Sequence, residues 1–245
     1  MNRIDTALFL AAGRGHLVPK GFLELDGITL TERAVARLRA AGIEEIVIVT
    51  GHLAGHYEAL AERLGGGVRT VFNPDYARLG SGHSLAVGLA ASAGEVLVLE
   101  SDLVWEDRAL AAMRDVEGDT VLLVSGETAS GDEVWVWADP NEPTPRLATM
   151  SKQRHHRPEA AWGELVGLTR IGPAMRPVLM AEIARATAEK PLVDYETCLV
   201  GACRTAPVEL VRIEDLAWSE IDDEGMYARV VAEVWPRIRA RDRAI

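Results

Sequence analysis

Cysteine is scarce in this chain of 245 residues, which contains only Cys198 and Cys203. Both fall within one predicted helix, so the sequence contains no disulfide framework. Their spacing does not match a zinc site either, because no paired histidine or cysteine accompanies them. Long apolar runs are also missing, and no stretch approaches the roughly 20 residues that a membrane-spanning helix needs. The first predicted strand begins almost directly after Met1, which leaves no room for a signal peptide and predicts a cytoplasmic protein.

Positive charge is in short supply as well. The chain has 26 Lys and Arg residues against 37 Asp and Glu residues, which gives a formal net charge of −11. A general nucleic-acid surface would be basic, so this balance argues against nucleic acid as a partner. A mononucleotide is not excluded, because it needs only a local cluster of positive groups. The length and the hydrophobic content of 48% predict one domain over residues 1–245.

A glycine turn directly after an apolar run is the feature around which the chain is organised. Residues 7–12 form a short, unbroken apolar run that is typical of a buried strand. Gly13 and Gly15 follow, and two glycines one residue apart let backbone amides converge on an anion. Lys20 stands behind a rigid proline, where its charge could neutralise a phosphate. The alternative is an ordinary β-turn that happens to carry Arg14 and Lys20.

The segments that follow alternate between strand and helix patterns. Strands are predicted at 46–49, 69–72 and 95–101, with a predicted helix before each of them. This rhythm predicts a parallel sheet with helices on its faces, and such sheets bind ligands at the carboxyl ends of their strands. The glycine turn, Asn73 and Asp102 all lie at such ends.

Two of these strand ends carry further candidates. Asp102 directly follows a predicted central strand and is a candidate magnesium ligand, because Mg²⁺ prefers one or two carboxylates together with water and phosphate oxygens. The alternative for Asp102 is a cap on the next helix. The glycine-rich segment 80–85 opens a helix whose free amides suit a phosphate or a base edge. The alternative for this segment is a flexible loop with an ordinary serine cap.

From Thr120 the pattern changes to short strands separated by turns. This change predicts an antiparallel extension of the sheet. Trp135 and Trp137 lie two residues apart and therefore on one face of a strand, either as core residues or as an aromatic wall for a ligand. The segment 151–157 is the most basic stretch of the acidic chain. It is either solvated surface or a segment that binds an anion.

Taken together, these segments resemble the nucleotidyltransferase superfamily of sugar-phosphate and alcohol-phosphate pyrophosphorylases. The superfamily signature LAAG-x-G-x-R-L, followed by PK, is matched by residues 10–15 and 19–20. The loop between the two parts is shorter here, since residues 16–18 replace an Arg-Leu and several more residues. An N-x-x-Y turn followed by S-L, at Asn73 and Ser84, is similar to the phosphocholine and phosphonate cytidylyltransferase branch.

The resemblance implies an α/β, Rossmann-like three-layer nucleotidyltransferase fold. Its central sheet would be mostly parallel, with a small antiparallel acceptor-binding extension at about 120–172. Mg²⁺ would be held by Asp102 and Asp222, the latter in an E-I-D segment before the last helix, where a helix cap is the alternative reading. Besides these two aspartates, Lys20 and Lys152 would be catalytic.

The resemblance also implies the residues that bind the two substrates. The nucleotide would be bound by Leu10, Ala11, Ala12, Gly13, Arg14, Gly15, Asn73, Gly82 and Ser84. The acceptor would be bound by Lys152, Tyr195 and Glu196, where the ring and the carboxylate could receive a cationic head group.

The implied function is a Mg²⁺-dependent cytidylyltransferase. It would transfer CMP from CTP to a small phosphonate or phosphate monoester of the 2-aminoethylphosphonate, hydroxyalkylphosphonate or phosphocholine type, with release of pyrophosphate. One alternative is a sugar-1-phosphate or molybdopterin-type nucleotidyltransferase, and another is a non-catalytic nucleotide-binding regulatory module. A P-loop kinase is disfavoured, because the sequence contains no G-x-x-x-x-G-K-[ST] motif. A homodimer is compatible with the resemblance, but the sequence does not fix the oligomeric state.

Overall fold

A nine-stranded sheet lies at the centre of the protein, as given by a computed structural model that describes residues 4–13 and 18–243. Its strands and those of two small two-stranded sheets are, in chain order, β1 (Thr6–Ala11), β2 (Glu24–Leu25), β3 (Ile28–Thr29), β4 (Glu45–Thr50), β5 (Val68–Phe72), β6 (Val96–Glu100), β7 (Leu103–Trp105), β8 (Val121–Ser125), β9 (Trp135–Ala138), β10 (Leu147–Ser151), β11 (Gly163–Ile171), β12 (Glu209–Ile213) and β13 (Trp218–Glu220). The helices are α1 (Leu30–Ala40), α2 (Ala54–Leu64), α3 (Ser81–Ala90), α4 (Arg108–Asp115), α5 (Met175–Glu189), α6 (Tyr195–Ala202), α7 (Glu224–Arg229) and α8 (Trp235–Asp242). A 3-10 turn spans Lys20–Phe22, and a π-helical turn at Val230–Val234 joins α7 to α8.

The main sheet is parallel in its first half and antiparallel in its second. Strands β6, β1, β4 and β5 are parallel neighbours in that order. β11 then runs antiparallel to β6, β8 and β9, and β10 pairs with β9. β12 adds a parallel strand beside β8, and it is this pairing that the sequence pattern did not predict. The mostly parallel sheet with an antiparallel extension confirms the predicted fold class.

Helices cover both faces of the sheet because its buried strands alternate their side chains between two cores. On β1, Leu8 packs into the core under α3, α5 and α6, whereas Phe9 packs into the core under α1, α2 and α4. Trp135 and Trp137 on β9 are 6% and 2% exposed, so both are buried residues rather than a solvent-facing aromatic wall.

Gly167, in the middle of β11, allows this strand to pair with both halves of the sheet. Gly167 has φ +81°, a conformation that disfavours residues with a β-carbon. The pairing of β11 with β8 changes register between Leu165 and Thr169, around this glycine. The bulge lets one half of β11 pair with β6 and the other half with β9. β11 therefore connects the parallel half of the sheet to its antiparallel extension.

The pairing of β13 with β7 brings a late segment of the chain back to the centre of the protein. β13 pairs antiparallel with β7, and Glu220 lies opposite Leu103. This register places the residues that follow β13 beside the end of β6. Behind them, Trp235 and Ile238 of α8 pack with Leu25 and Leu30 in a third apolar cluster. Among the helices of residues 4–13 and 18–243, none is both long enough and apolar enough to cross a membrane.

Candidate active site

Two adjoining cavities lie at the edge of the sheet where the parallel strands end. The first cavity has a volume of about 350 Å³ and lies over the ends of β1 and β6. The second cavity, of about 170 Å³, extends from it towards β11 and β13. The residues that line both are Lys20, Glu100, Asp102, Lys152 and Glu196. The two cavities are therefore parts of one site.

Lys20 lies between the two predicted metal ligands. Its ammonium group donates a hydrogen bond to Asp102 Oδ2 at 2.9 Å and also pairs with Asp222 Oδ1. Burial alone would lower the pKa of Lys20, but the charges and hydrogen bonds of Asp102 and Asp222 outweigh it and raise that pKa. Lys20 therefore stays protonated, and the structure brings together three predicted catalytic residues from distant parts of the chain.

The 3-10 turn that carries Lys20 is held by close packing around the next residue. Thr31 Oγ1 donates a hydrogen bond to the carbonyl of Gly21 at 3.0 Å. A β-carbon on Gly21 would lie 2.4 Å from Thr31 Oγ1 and 2.7 Å from the Tyr57 hydroxyl, so only glycine fits without a shift. The packing of α1 and α2 against this glycine thus fixes the backbone beneath Lys20.

The carboxylates around Lys20 fit a divalent cation. Asp102 is 8% exposed, and its Oδ1 is buried without a hydrogen-bond partner among the described residues. Asp132, Glu220 and Asp222 each offer an oxygen, and these three oxygens lie within 4.8 Å of one another. Carboxylate oxygens are the hard ligands that Mg²⁺ prefers. Asp222 of the predicted pair belongs to this cluster, whereas Asp102 is connected to Asp222 through Lys20.

The predicted nucleotide-binding residues separate into three groups, apart from Gly82. Leu10, Ala11, Ala12, Gly13 and Ser84 line the first cavity. Asn73 is fully buried behind Ser84 and donates a hydrogen bond to Ser84 Oγ at 3.1 Å, so it can position that hydroxyl but does not line the cavity. Arg14 and Gly15 lie outside the described residues.

Gly82 differs from the prediction. The structure places it in the first turn of α3, where a β-carbon would lie 3.0 Å from Cys198 Sγ and 3.2 Å from the carbonyl of Val193. It therefore allows α3 and α6 to approach each other and does not line either cavity. Gly80 and Ser81, at the start of the same helix, line the first cavity instead.

The predicted acceptor-binding residues all lie at the site. Lys152, at the end of β10, donates to both oxygens of Asp132 at 2.7 and 2.9 Å. Burial lowers the pKa of Lys152, but the charge of Asp132 outweighs it, so that pKa is raised. Tyr195 is 2% exposed and donates its hydroxyl to Glu100 Oε1 at 2.8 Å. Glu196 lines both cavities.

Four glutamates that line the second cavity have raised pKa values. Burial raises the pKa of Glu164 and of Glu196, each to about 7. Burial, followed by the charges of Asp222 and Asp102, raises the pKa of Glu220 to about 8. Burial and the charge of Asp102 also raise the pKa of Glu100 well above its ordinary value. These carboxyl groups are held in an environment that disfavours their charged form.

The family model for the MobA-like NTP transferase domain matches residues 7–170, which is more than half of the chain. The chain belongs to this family. The match covers the glycine turn, Lys20, Asp102 and Lys152, and the membership confirms the predicted nucleotidyltransferase superfamily. Asp222 and Glu220 lie beyond the matched residues.

Two curated proteins and one solved structure are similar to this chain. The chain is 37% identical over 148 residues to the bifunctional IPC transferase and DIPP synthase of Rubrobacter xylanophilus, covering 56% of this chain and 31% of that protein. It is 25% identical over 232 residues to the CMP-5'-(3-aminopropyl)phosphonate synthase of Streptomyces rubellomurinus, covering 89% of this chain and 37% of that protein. The chain thus spans about a third of the length of these curated relatives. The inositol-1-phosphate CTP transferase structure from T. maritima superposes with a TM-score of 0.78 at 19% identity, covering 98% of both chains.

Four of the seven acidic residues that line the second cavity were missed in the sequence analysis of this NTP transferase, namely Glu100, Asp132, Glu164 and Glu220. Glu100 and Glu220 are each the last residue of a strand and stand two residues before a predicted metal ligand. That spacing is a signal that could have identified them. Glu164 and Asp132 carry no such signal, because they reach the cavity only through the pairing of β11 and the loop before β9.

Proposed function

We propose that this family member is a Mg²⁺-dependent cytidylyltransferase. It would transfer CMP from CTP to a small phosphate or phosphonate monoester and release pyrophosphate. The observation that carries the proposal is Lys20 held between Asp102 and Asp222 at the junction of the two cavities. A cation-binding carboxylate pair next to a phosphate-binding lysine is what nucleotidyl transfer from a triphosphate requires.

In this reaction the protein has to position the two substrates and to neutralise the charge on the phosphates. An anionic oxygen of the acceptor attacks the α-phosphorus of CTP, the new P–O bond forms, and the bond from the α-phosphorus to the bridging oxygen breaks. The bonding electron pair leaves with pyrophosphate. Because the attacking oxygen is already an anion, no strong general base is required.

The side chains of the site divide this work between them. Residues 10–13 and Ser84 line the cavity that would receive the nucleotide. Lys20 would neutralise the triphosphate, and Lys152, which lines both cavities, would hold the acceptor anion near the α-phosphate. Mg²⁺ bound by Asp102 and Asp222 would supply charge neutralisation at the α-phosphate.

The choice of CTP draws its support from the relatives. The Streptomyces protein is named for a CMP product, and the T. maritima structure is that of a CTP transferase. The asparagine turn and Ser84 agree with the cytidylyltransferase branch, because the two residues are joined by a hydrogen bond at the wall of the first cavity.

Pyrophosphate release decides between the candidate functions. The assay contains Mg²⁺, one of the four NTPs, and one acceptor drawn from aminoalkylphosphonates, alkylphosphonates, phosphocholine and sugar 1-phosphates. We expect release with CTP and a small monoester. Release only with another NTP and a sugar phosphate would overturn the proposal. Binding of CTP without release from any acceptor would make the chain a non-catalytic nucleotide-binding module.

A further inference from the structure

The second cavity contains more carboxyl groups than its own cations pair with. Seven carboxyl groups and two lysines line it. Lys20 pairs with Asp102 and Asp222, and Lys152 pairs with Asp132. The other four carboxyl groups form no ion pair with any residue in the described part of the chain, and they are those of Glu100, Glu164, Glu196 and Glu220.

These four groups differ in how their oxygens are satisfied. Tyr195 donates to Glu100, and the backbone amide and hydroxyl of Thr128 donate to Glu164 at 2.7 and 2.9 Å. Glu196 Oε2 is a buried oxygen that accepts no hydrogen bond within residues 4–13 and 18–243. An oxygen of Glu220 lies within 4.8 Å of oxygens of both Asp132 and Asp222. The cavity therefore offers free carboxylate oxygens, and a cation is the ligand that would complete them.

The residues that line the second cavity indicate which kind of cation it would bind. Among the described lining residues, Trp218 alone is aromatic, and it is 4% exposed with its indole N–H donated to Ser125 Oγ. Quaternary ammonium groups are bound by cages of exposed aromatic faces. Carboxylate oxygens instead accept the hydrogens of an N–H group. Tyr195 cannot serve as an aromatic wall here, because it lines only the first cavity and its hydroxyl is bound to Glu100.

The position of Lys152 indicates how a ligand would be oriented in the two cavities. Lys152 lines both cavities, as does Lys20, so the positive groups lie where the cavities join. Of the four unpaired carboxyl groups, Glu164 on β11 and Glu220 on β13 line the second cavity alone, whereas Glu100 and Glu196 line both cavities. A ligand with an anion at the junction and an ammonium group in the second cavity matches this order of charges.

We propose that the second cavity binds the primary ammonium group of an aminoalkyl phosphonate or aminoalkyl phosphate acceptor, through the carboxylates of Glu164, Glu196 and Glu220. This inference rests on the proposed function, because it places the anionic end of the same molecule at Lys152. It assigns Glu164 and Glu220 to substrate recognition, and it replaces the expected cation–π contact at Tyr195 with charged hydrogen bonds.

The test compares three acceptors that share a phosphate and differ at the other end. These are 2-aminoethyl phosphate, phosphocholine and ethyl phosphate, each assayed for kcat/KM with CTP and Mg²⁺. We expect 2-aminoethyl phosphate to exceed each of the other two by about 10²-fold or more, since the other two acceptors cannot donate charged N–H hydrogen bonds to the carboxylates. Equal values for 2-aminoethyl and ethyl phosphate, or a preference for phosphocholine, would overturn the inference and leave the cytidylyltransferase intact.

Two substitutions test whether the preference for 2-aminoethyl phosphate depends on the second cavity. Glu220→Gln and Glu164→Gln each remove a negative charge while they keep the side-chain shape, and neither leaves a buried charge unpaired. We expect each to reduce the ratio of kcat/KM for 2-aminoethyl phosphate to kcat/KM for ethyl phosphate about tenfold. Glu189→Gln, at an exposed position on α5, is the matched control and should keep the advantage. An unchanged preference in both cavity variants would contradict the assignment.

Calorimetric binding separates this inference from the proposed function. If no acceptor releases pyrophosphate, the proposed function fails, but titration of the protein with 2-aminoethyl phosphate and ethyl phosphate still measures the ammonium preference. Titration with Mn²⁺ tests whether the second cavity binds a metal ion instead of an ammonium group. A second Mn²⁺ equivalent that is lost in Glu220→Gln, together with no ammonium preference, would assign the cavity to a metal ion instead.

Discussion

Lys20 Nζ and Asp102 Oδ2 are joined by a 2.9 Å hydrogen bond between residues that are 82 positions apart in the chain. The same ammonium group pairs with Asp222, so one internal cation neutralises two carboxylates when no ligand is present. A divalent cation that arrives with CTP would compete for the same oxygens. Lys20 would then be released towards the triphosphate, which is the role proposed for it.

Lys20→Met should therefore destabilise the protein mainly in the absence of metal. The substitution leaves Asp102 and Asp222 without their cation, and Lys20 is 27% exposed, so the loss lies between those of surface and buried ion pairs, roughly 1–3 kcal/mol. Thermal unfolding with and without Mg²⁺ measures it. We expect Mg²⁺ to reduce the difference from wild type. Lys190→Met, at an exposed position after α5, should show no such Mg²⁺ dependence, and a metal-independent loss in Lys20→Met would refute the shared-oxygen model.

Asp102→Asn and Asp222→Asn should each lower turnover by about 10²-fold or more, because each removes one charged ligand from the proposed metal pair. Steady-state pyrophosphate release measures the loss, and circular dichroism checks the fold. Asp223→Asn is a sharp control, since Asp223 adjoins Asp222 but caps α7 through a 2.8 Å hydrogen bond from the amide of Met226. Asparagine caps helices as well as aspartate does, so this variant should keep its activity. Wild-type turnover in Asp102→Asn would rule out its proposed role.

Gly21→Ala should reduce both stability and turnover. The new β-carbon would lie 2.4 Å from Thr31 Oγ1 and 2.7 Å from the Tyr57 hydroxyl, so the turn under Lys20 must move. Overpacking of this kind costs about 1–3 kcal/mol. Urea unfolding and kcat report the two effects. Gly55→Ala on α2 meets nothing within 4 Å and should stabilise the protein by about 0.5–1 kcal/mol, because alanine favours a helix over glycine. Full activity in Gly21→Ala would show that the turn does not position Lys20.

Glu164 makes stability depend on pH with a defined sign. Burial raises its pKa in the folded protein to about 7, above its ordinary value of 4.5, so the folded state binds the proton more tightly than the unfolded state does. The free energy of unfolding should therefore fall as pH rises from about 4.5 to about 7, by roughly 2–3 kcal/mol from this group.

Glu164→Gln tests this sign. It removes the titrating group, so the variant should be more stable than wild type at pH 8, and the difference should shrink towards pH 5. Urea unfolding at both pH values is the measurement, with Glu62→Gln on the exposed face of α2 as the control. A variant that is less stable than wild type at pH 8 would contradict the prediction.

The sequence predicted the elements whose signals are local. The strands predicted at 46–49, 69–72 and 95–101 correspond to β4 (Glu45–Thr50), β5 (Val68–Phe72) and β6 (Val96–Glu100). The helices predicted before them correspond to α1, α2 and α3, and in α1 Thr29 and Glu32 form a capping box. These elements are specified by residues within a few positions of one another, which a pattern search can detect.

The remaining errors arise from contacts between distant segments. Gly82 belongs to a glycine-rich helix start, but helical geometry places Ser81 and Ser84, three residues apart, on the cavity face, and Gly82 faces α6 instead. Glu164 reaches the second cavity because β11 bulges at Gly167, and Glu220 reaches it because β13 pairs with β7. Asp222 was predicted from resemblance, since nothing local distinguishes it from a helix cap.

The ion pair between Lys20 and Asp222 joins residues that are 202 positions apart. A ribosome builds the chain from its N-terminus, so the glycine turn and the parallel strands emerge long before β13 and its aspartate. The parallel strands β1, β4, β5 and β6 are therefore synthesised well before the proposed pair of metal ligands is complete.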